Sequence, residues 1–360
     1  MVVRCKLGKL AWIFWSCLLF AQVVIARAAP AAPPEVWFMS AGQSPDLTDL
    51  FTRPAEWAKA RQSVNVFAFG PGHLTPAREG QPSLYSELVS VGAFRLIKSW
   101  GMKISIEVPA LKEWDCAGAH TPEITEQLIR RARDQGGDVR YVAMDEPLIS
   151  GLGLNVRKCA LTIAEAAQVV AKYAKRLGDL ERQSGQNNPV GIVDIEAYPS
   201  VSVAQIKQWI TYLVDGGVKL SGFHLDPNVH YIDIHPDIKN NLKRDLSDLQ
   251  AFLKEKGIPF GVIIWSGYDP VKSDRAYYDY AMAWARAVHA SIGSPDRLIF
   301  QSWVRRCGLN GPCTGRDMGC GASDPPYCGK SSVPLNLPEE GRDVFTQTRL
   351  VLDVLSLFSH

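Results

Sequence analysis

Eight short runs rich in β-branched and aromatic residues, most followed by a segment with helical spacing, predict an α/β chain folded as a parallel (β/α)8 barrel. The chain, 360 residues long, has room for such a barrel and for loop insertions. Nothing after the first run resembles the glycine-rich turn of an open dinucleotide-binding sheet, which is the competing architecture. No linker composition splits the chain, so a single barrel domain is expected over 29–360.

The first strand is expected at 35–40 (EVWFMS), with a short helix around PAEWAKAR after it. The second falls at 63–69 (SVNVFAF), and SLYSELVSVGAFRLIKSWG then reads as one helix stopped by Gly101. The third strand, 103–109 (KISIEVP), leads to the helix TPEITEQLIRRARDQGG, with Thr121 as its cap and Pro122 at its first position. The fourth is 139–146 (VRYVAMDE), where Pro147 turns the chain away. Thr162 and Glu165 have capping-box spacing ahead of AAQVVAKYAKRL. Four more strands are expected at 190–196 (VGIVDIE), 219–226 (KLSGFHLD), 259–265 (PFGVIIW) and 297–303 (RLIFQSW). A Cys-rich segment, 304–335, forms the loop after the eighth strand, and a last helix near 340–357 closes the domain.

The N-terminus has the layout of a secretory signal peptide over 1–28. Arg4, Lys6 and Lys9 precede an apolar run from Leu10 to Ala26, and Ala26-Arg27-Ala28 offers a small-x-small cleavage site. An uncleaved anchor helix is the alternative, although the run is near the lower length for spanning. Cleavage removes four of the 39 basic residues against 37 acidic ones, so the mature chain is slightly acidic. With no basic run, nucleic acid is not an expected partner. The expected product is exported, secreted or periplasmic, free of the membrane and monomeric. Six cysteines then remain: Cys116, Cys159, Cys307, Cys313, Cys320 and Cys328. An even number in an exported chain suggests disulfides. The last four crowd the loop after strand eight, which leaves Cys116 and Cys159 able to pair with each other.

Strand ends matter because barrels of this kind build their sites there. Alternate residues of each strand face the axis. Strand three ends with Ser105 and Glu107 on one face. Strand four ends with Asp145 and Glu146, of which only one can face inward. Strand five carries Asp194 and Glu196 on a shared face, taken as the inner one. Strand six has His224 and Asp226, strand seven ends at Trp265, and strand eight carries Gln301 and Trp303. Four adjacent strands therefore end in carboxylates. Like charges gathered in one mouth repel and raise each other's pKa, a cost more common where chemistry uses it.

Acids flanked by aromatics suit sugars. A protonated carboxyl can give its proton to a leaving glycosidic oxygen, while an ionised one attacks the anomeric carbon or activates water. Trp114, Tyr198, Trp265, Tyr268 and Trp303 lie at or just beyond strand ends, where their faces can stack on pyranose rings. Asp269 is a further loop acid. An apolar fourth strand ending in acid-Glu-Pro (Asp145, Glu146, Pro147), with Trp303 closing strand eight, resembles the TIM-barrel glycoside hydrolases. The nearest pattern is the clan whose fourth strand ends Asn-Glu-Pro. That resemblance implies an acid/base role for Glu146. Asp145 stands where the clan has an Asn that contacts the sugar 2-hydroxyl. The clan's nucleophile, a Glu ending strand seven, is replaced here by Trp265, so Glu146 needs another partner. Asp226 is the first candidate, because strand six can face strand four across the mouth. Glu196 is the second, and Asp145 substitutes for Glu146 if the strand is read one residue out. The remaining expected substrate contacts are Glu107, Asp194, His224, Trp265, Tyr198, Gln301 and Trp303.

Two other readings use the same residues. Glu107, Glu146, Asp194, His224 and Asp226, with His230 and His235 nearby, could ligate a divalent cation, as in sugar isomerases or phosphoesterases on this barrel. No His pair has ligand spacing on the strands, so no metal or cofactor is expected. Alternatively, a barrel lacking the strand-seven Glu binds carbohydrate without cleaving it. A serine hydrolase is disfavoured, since no G-x-S-x-G elbow is present.

Overall fold

The computed structural model describes residues 33–40, 46–76, 83–154, 158–185, 189–267, 273–302, 304 and 333–359. The signal-peptide region, Tyr268, Asp269, Trp303 and the last four cysteines lie outside the described residues.

Eight parallel strands close into a barrel in sequence order. They are β1 (Glu35–Phe38), β2 (Val66–Phe69), β3 (Lys103–Val108), β4 (Val139–Asp145), β5 (Gly191–Tyr198), β6 (Leu220–Pro227), β7 (Phe260–Ile264) and β8 (Arg297–Phe300). Closure is set by β1 pairing with β8, from Glu35 opposite Arg297 to Phe38 opposite Phe300. All eight expected strands form, because each run supplies residues that can be buried on both faces of the sheet.

The helices are α1 (Asp46–Thr52), α2 (Ala58–Ser63), α3 (Leu84–Ser90), α4 (Ala93–Ser99), α5 (Thr121–Asp134), α6 (Pro147–Leu152), α7 (Ile163–Gln183), α8 (Val203–Asp215), α9 (Val229–Ile234), α10 (Pro236–Glu255), α11 (Asp274–Ile292) and α12 (Gln347–Phe358). The capping box ahead of α7 is present: Thr162 Oγ1 accepts from the Glu165 amide at 3.2 Å, and Glu165 Oε2 accepts from the Thr162 amide at 2.8 Å. Several expectations are corrected. The single helix after β2 is two, since Gly92 adopts a left-handed conformation (φ 69°) between α3 and α4. Thr121 begins α5 rather than capping it, because its hydroxyl donates to the Ala110 carbonyl at 3.0 Å. Pro147 starts a short helix instead of only turning the chain. His230 lies in α9, just after β6. Among the described residues no helix is long and apolar enough to cross a membrane.

The lower barrel is plugged by large side chains. Trp37 packs on Tyr141 with ring centroids 4.9 Å apart, and meets the His224 ring edge-on at 4.8 Å. The Arg297 guanidinium lies over Trp37 and Tyr141 at 5.0 and 5.5 Å, and pairs with Glu35 at 2.8 Å. Glycine makes this crowding possible. A Cβ on Gly261 would sit 2.5 Å from His224 Cδ2 and 2.7 Å from Ile299 Cδ1. Gly261→Ala is therefore expected to cost about 1–3 kcal/mol through overpacking, read as a lower denaturation midpoint in urea; an unchanged midpoint would contradict this packing.

Candidate active site

The plug fixes which face of each strand looks inward. Tyr141 and His224 both meet Trp37, so Asp145, two steps of two beyond Tyr141, and Asp226, two beyond His224, share the axis-facing side. Glu107 belongs with them, since burial, Asp145, Asp226 and Glu146 act together on its carboxyl. Trp265 and Gln301 continue the inner faces of β7 and β8 and are 3% exposed each. The Trp265 indole N–H donates to the Pro227 carbonyl at 2.9 Å.

Glu146 follows β4 in the left-handed region, with φ 47° and ψ 49°. That conformation costs a non-glycine residue roughly 1–2 kcal/mol. Its amide donates to the Ile195 carbonyl at 3.0 Å. The carboxyl lies within electrostatic reach of Asp226, Glu107, Lys112 and Glu196. Asp145 and Glu146 thus both serve the mouth: one ends the strand, and the other is brought back by a twist of the backbone.

The mouth is an electrostatically frustrated cluster with one described cation. Lys112, from the loop after β3, pairs with Asp145 at 2.5 Å. Burial opposes its charge, but Asp145, Glu146 and Glu107 outweigh burial and raise its pKa. Burial, then the Glu146 and Asp145 charges, hold Asp226 well above the usual carboxylate range. Glu107 is raised in the same way, chiefly by burial and then by Asp145. Asp226 Oδ1 is sealed from solvent without a hydrogen-bond partner among the described residues. Lys112 was not singled out from sequence. Its one signal was its place four residues before Cys116, whose disulfide to Cys159 is formed with the Cα atoms 5.3 Å apart and ties this loop to the chain beyond α6.

Three expected site residues face the other way. Asp194 and Glu196 do share a face, but it is the helix side of the sheet. Asp194 Oδ2 accepts from the Trp209 indole of α8 at 2.9 Å. Glu196 Oε1 accepts from the Leu148 amide of α6 at 2.7 Å. Tyr198 donates its hydroxyl to Asp245 Oδ2 of α10 at 2.9 Å. Strand parity shifts by one residue from the expected assignment, and Val193 and Ile195 take the inner positions. His224 is inward but sits below the mouth in the plug, and burial followed by Arg297 drives its pKa well below the usual value. The cation-ligand set is therefore divided, with Asp194 on the opposite side of the sheet. Among the described residues, no three His, Cys, Asp or Glu side chains gather as a metal site. His235 instead stacks on Tyr231, with centroids 3.8 Å apart. Trp114 is 57% exposed on the loop that carries Lys112.

Comparison with solved structures agrees with this architecture. The fold is similar to the catalytic domain of a GH26 endo-β-1,4-mannanase from Bacillus sp. JAMB-750, with a TM-score of 0.53, 12% identity, and coverage of 91% of this chain and 86% of that one. An endo-1,4-β-xylanase from Caldicellulosiruptor owensensis aligns with a TM-score of 0.50 and 9% identity, over 89% of this chain and 96% of that one. A glucosidase from Croceicoccus marinus gives 0.50 and 13%, over 91% and 69% respectively. No family model matches the sequence, and no curated protein matches it. The chain thus shares its barrel fold with the TIM-barrel glycoside hydrolases.

Two comparisons test the site's energetics. Glu146→Gly should be more stable than Glu146→Ala by about 1 kcal/mol, because both lose the carboxylate and only the Ala variant keeps the left-handed strain; equal stabilities would mean the turn is not strained. Asp194 tests linkage, since burial pushes its pKa up to about 8. Between the ordinary Asp value of about 3.9 and that raised value, the native state keeps a proton that the unfolded chain has lost. Stability from this group is complete at low pH and lost as pH rises through the folded pKa. Asp194→Asn should lack that loss, so the wild-type-minus-variant difference falls with pH by at most about 1.4 kcal/mol per unit up to about pH 8. Parallel urea-stability profiles would contradict the buried, protonated state.

Proposed function

We propose that the protein is an exported glycoside hydrolase whose chemistry is carried by Asp226 and Glu146. The observation that supports this most directly is the Asp226 carboxyl, half-buried at the mouth, raised in pKa by desolvation and then by Glu146, and with Oδ1 sealed and unpaired among the described residues. Asp226 then donates a proton to the leaving glycosidic oxygen. Glu146, near Lys112, acts on the anomeric carbon directly or through a water. This reverses the acid role that the Asn-Glu-Pro resemblance gave Glu146, because Asp226 is a carboxyl whose surroundings raise its pKa well above the usual range. Glu107 and Asp145 maintain the charge balance around the pair, and Trp265 and Gln301 are the inner-wall contacts for a sugar. The disulfide between Cys116 and Cys159 fits an oxidising compartment and so supports export.

A screen for release of reducing ends starts with β-1,4-linked xylan and mannan and with aryl glucosides, the linkages and sugar named for the similar barrels. Asp226→Asn and Glu146→Gln should each lower kcat by about 10²- to 10⁴-fold without unfolding the chain. The alkaline limb of the rate profile should lie above the usual carboxylate range, because the acid must stay protonated and its pKa is raised. Trp265, standing where the resembling clan has its nucleophile, favours a second reading: glycans held but not cut. Binding by calorimetry with no turnover by wild type would select that reading.

A further inference from the structure

We propose that Glu196 is a positioning residue that holds Glu146 in its left-handed conformation by clamping the first turn of α6; the inference rests on the reading of Glu146 as a working carboxylate. The turn that presents Glu146 has few internal restraints. Pro147 has no amide hydrogen, and the first amides of any helix lack intrahelical partners. Strand β5 supplies what is missing from two successive residues. The Ile195 carbonyl accepts from the Glu146 amide at 3.0 Å, and Glu196 Oε1 accepts from the Leu148 amide at 2.7 Å. The Ile149 amide also lies close enough to lower the pKa of the same carboxyl. Glu146 and the first amide downstream of Pro147 are thus tied to one adjacent strand, from its backbone and from its outward side chain.

The burial of Glu196 makes the clamp rigid. The residue is 0% exposed, as are Leu148 and the neighbouring Asp194. An amide that loses a buried acceptor costs about 1–3 kcal/mol, comparable with the roughly 1–3 kcal/mol that a residue held in the left-handed region stores. Removing the clamp therefore removes an energy large enough to let Glu146 relax. The role needs an acceptor oxygen, not a charge. Burial, then Asp194, raises the Glu196 carboxyl well above its usual value, and a Gln side chain offers the same acceptor oxygen without a charge.

This separates Glu196 from the catalytic pair. Glu196→Gln retains the acceptor and should keep kcat within about threefold of wild type. Glu196→Ala should lower kcat by about 10- to 100-fold (about 1.4 to 2.7 kcal/mol) while KM stays within about threefold. Amide hydrogen exchange supplies a readout that needs no activity: Leu148 and Ile149 should lose protection in Glu196→Ala and keep it in Glu196→Gln. A Gln variant as inactive as Glu146→Gln would overturn the proposal by making Glu196 a chemical participant. Protection at Leu148 and Ile149 unchanged by the Ala change would overturn it too. If wild type cleaves no glycan, the parent reading fails while the exchange experiment still decides whether Glu196 clamps the turn.

Discussion

Closure of the sheet between β1 and β8 is the constraint on which the molecule depends. With Glu35 to Phe38 registered on Arg297 to Phe300, no sheet edge remains, and each strand side chain goes either to the axis or to the helix layer. The axis is narrow, so its lower part must be filled. Trp37, Tyr141, His224 and Arg297 fill it, and the small Gly222 and Gly261 give them space. The plug leaves the mouth as the place where inward polar groups can gather.

What gathers there is costly. Glu107, Asp145 and Asp226 share the inner face, Glu146 is turned toward them, and Lys112 is the described cation among them. Burial and mutual repulsion raise the pKa of Glu107 and of Asp226, so both carboxyls hold their protons more firmly than an ordinary acid does. The same arrangement is what acid-assisted cleavage of a glycosidic bond requires, and the strain at Glu146 belongs to the same pattern of stability spent at a site.

The two sides of β5 carry different tasks. Its inner side chains, Val193 and Ile195, are apolar wall. Its outer ones, Asp194, Glu196 and Tyr198, bind α8, α6 and α10 in turn. Buried acids on the helix side thus act on the mouth only through the elements they hold. Reading them as mouth residues was a parity error with a clear cause: in a strand buried on both faces, hydrophobic alternation is absent and cannot say which face is inner.

By itself the sequence determined the eight strands, their order, the parallel barrel, the capping box at Thr162 and the nearness of a carboxylate cluster to strand ends. These follow from local propensity and from the rule that barrel strands deliver their C-terminal ends to one mouth. The tertiary structure alone decided which acids meet. Asp226 and Glu107 face the axis because the Trp37 plug sets strand parity, and Glu196 does not because it lies one residue out of phase with Ile195. Glu146 reaches the mouth through a positive φ that no residue pattern announces, and Lys112 arrives on a loop tied by a disulfide 43 residues long in sequence. Such contacts depend on distances between segments remote in the chain, and those distances exist only once the barrel has closed.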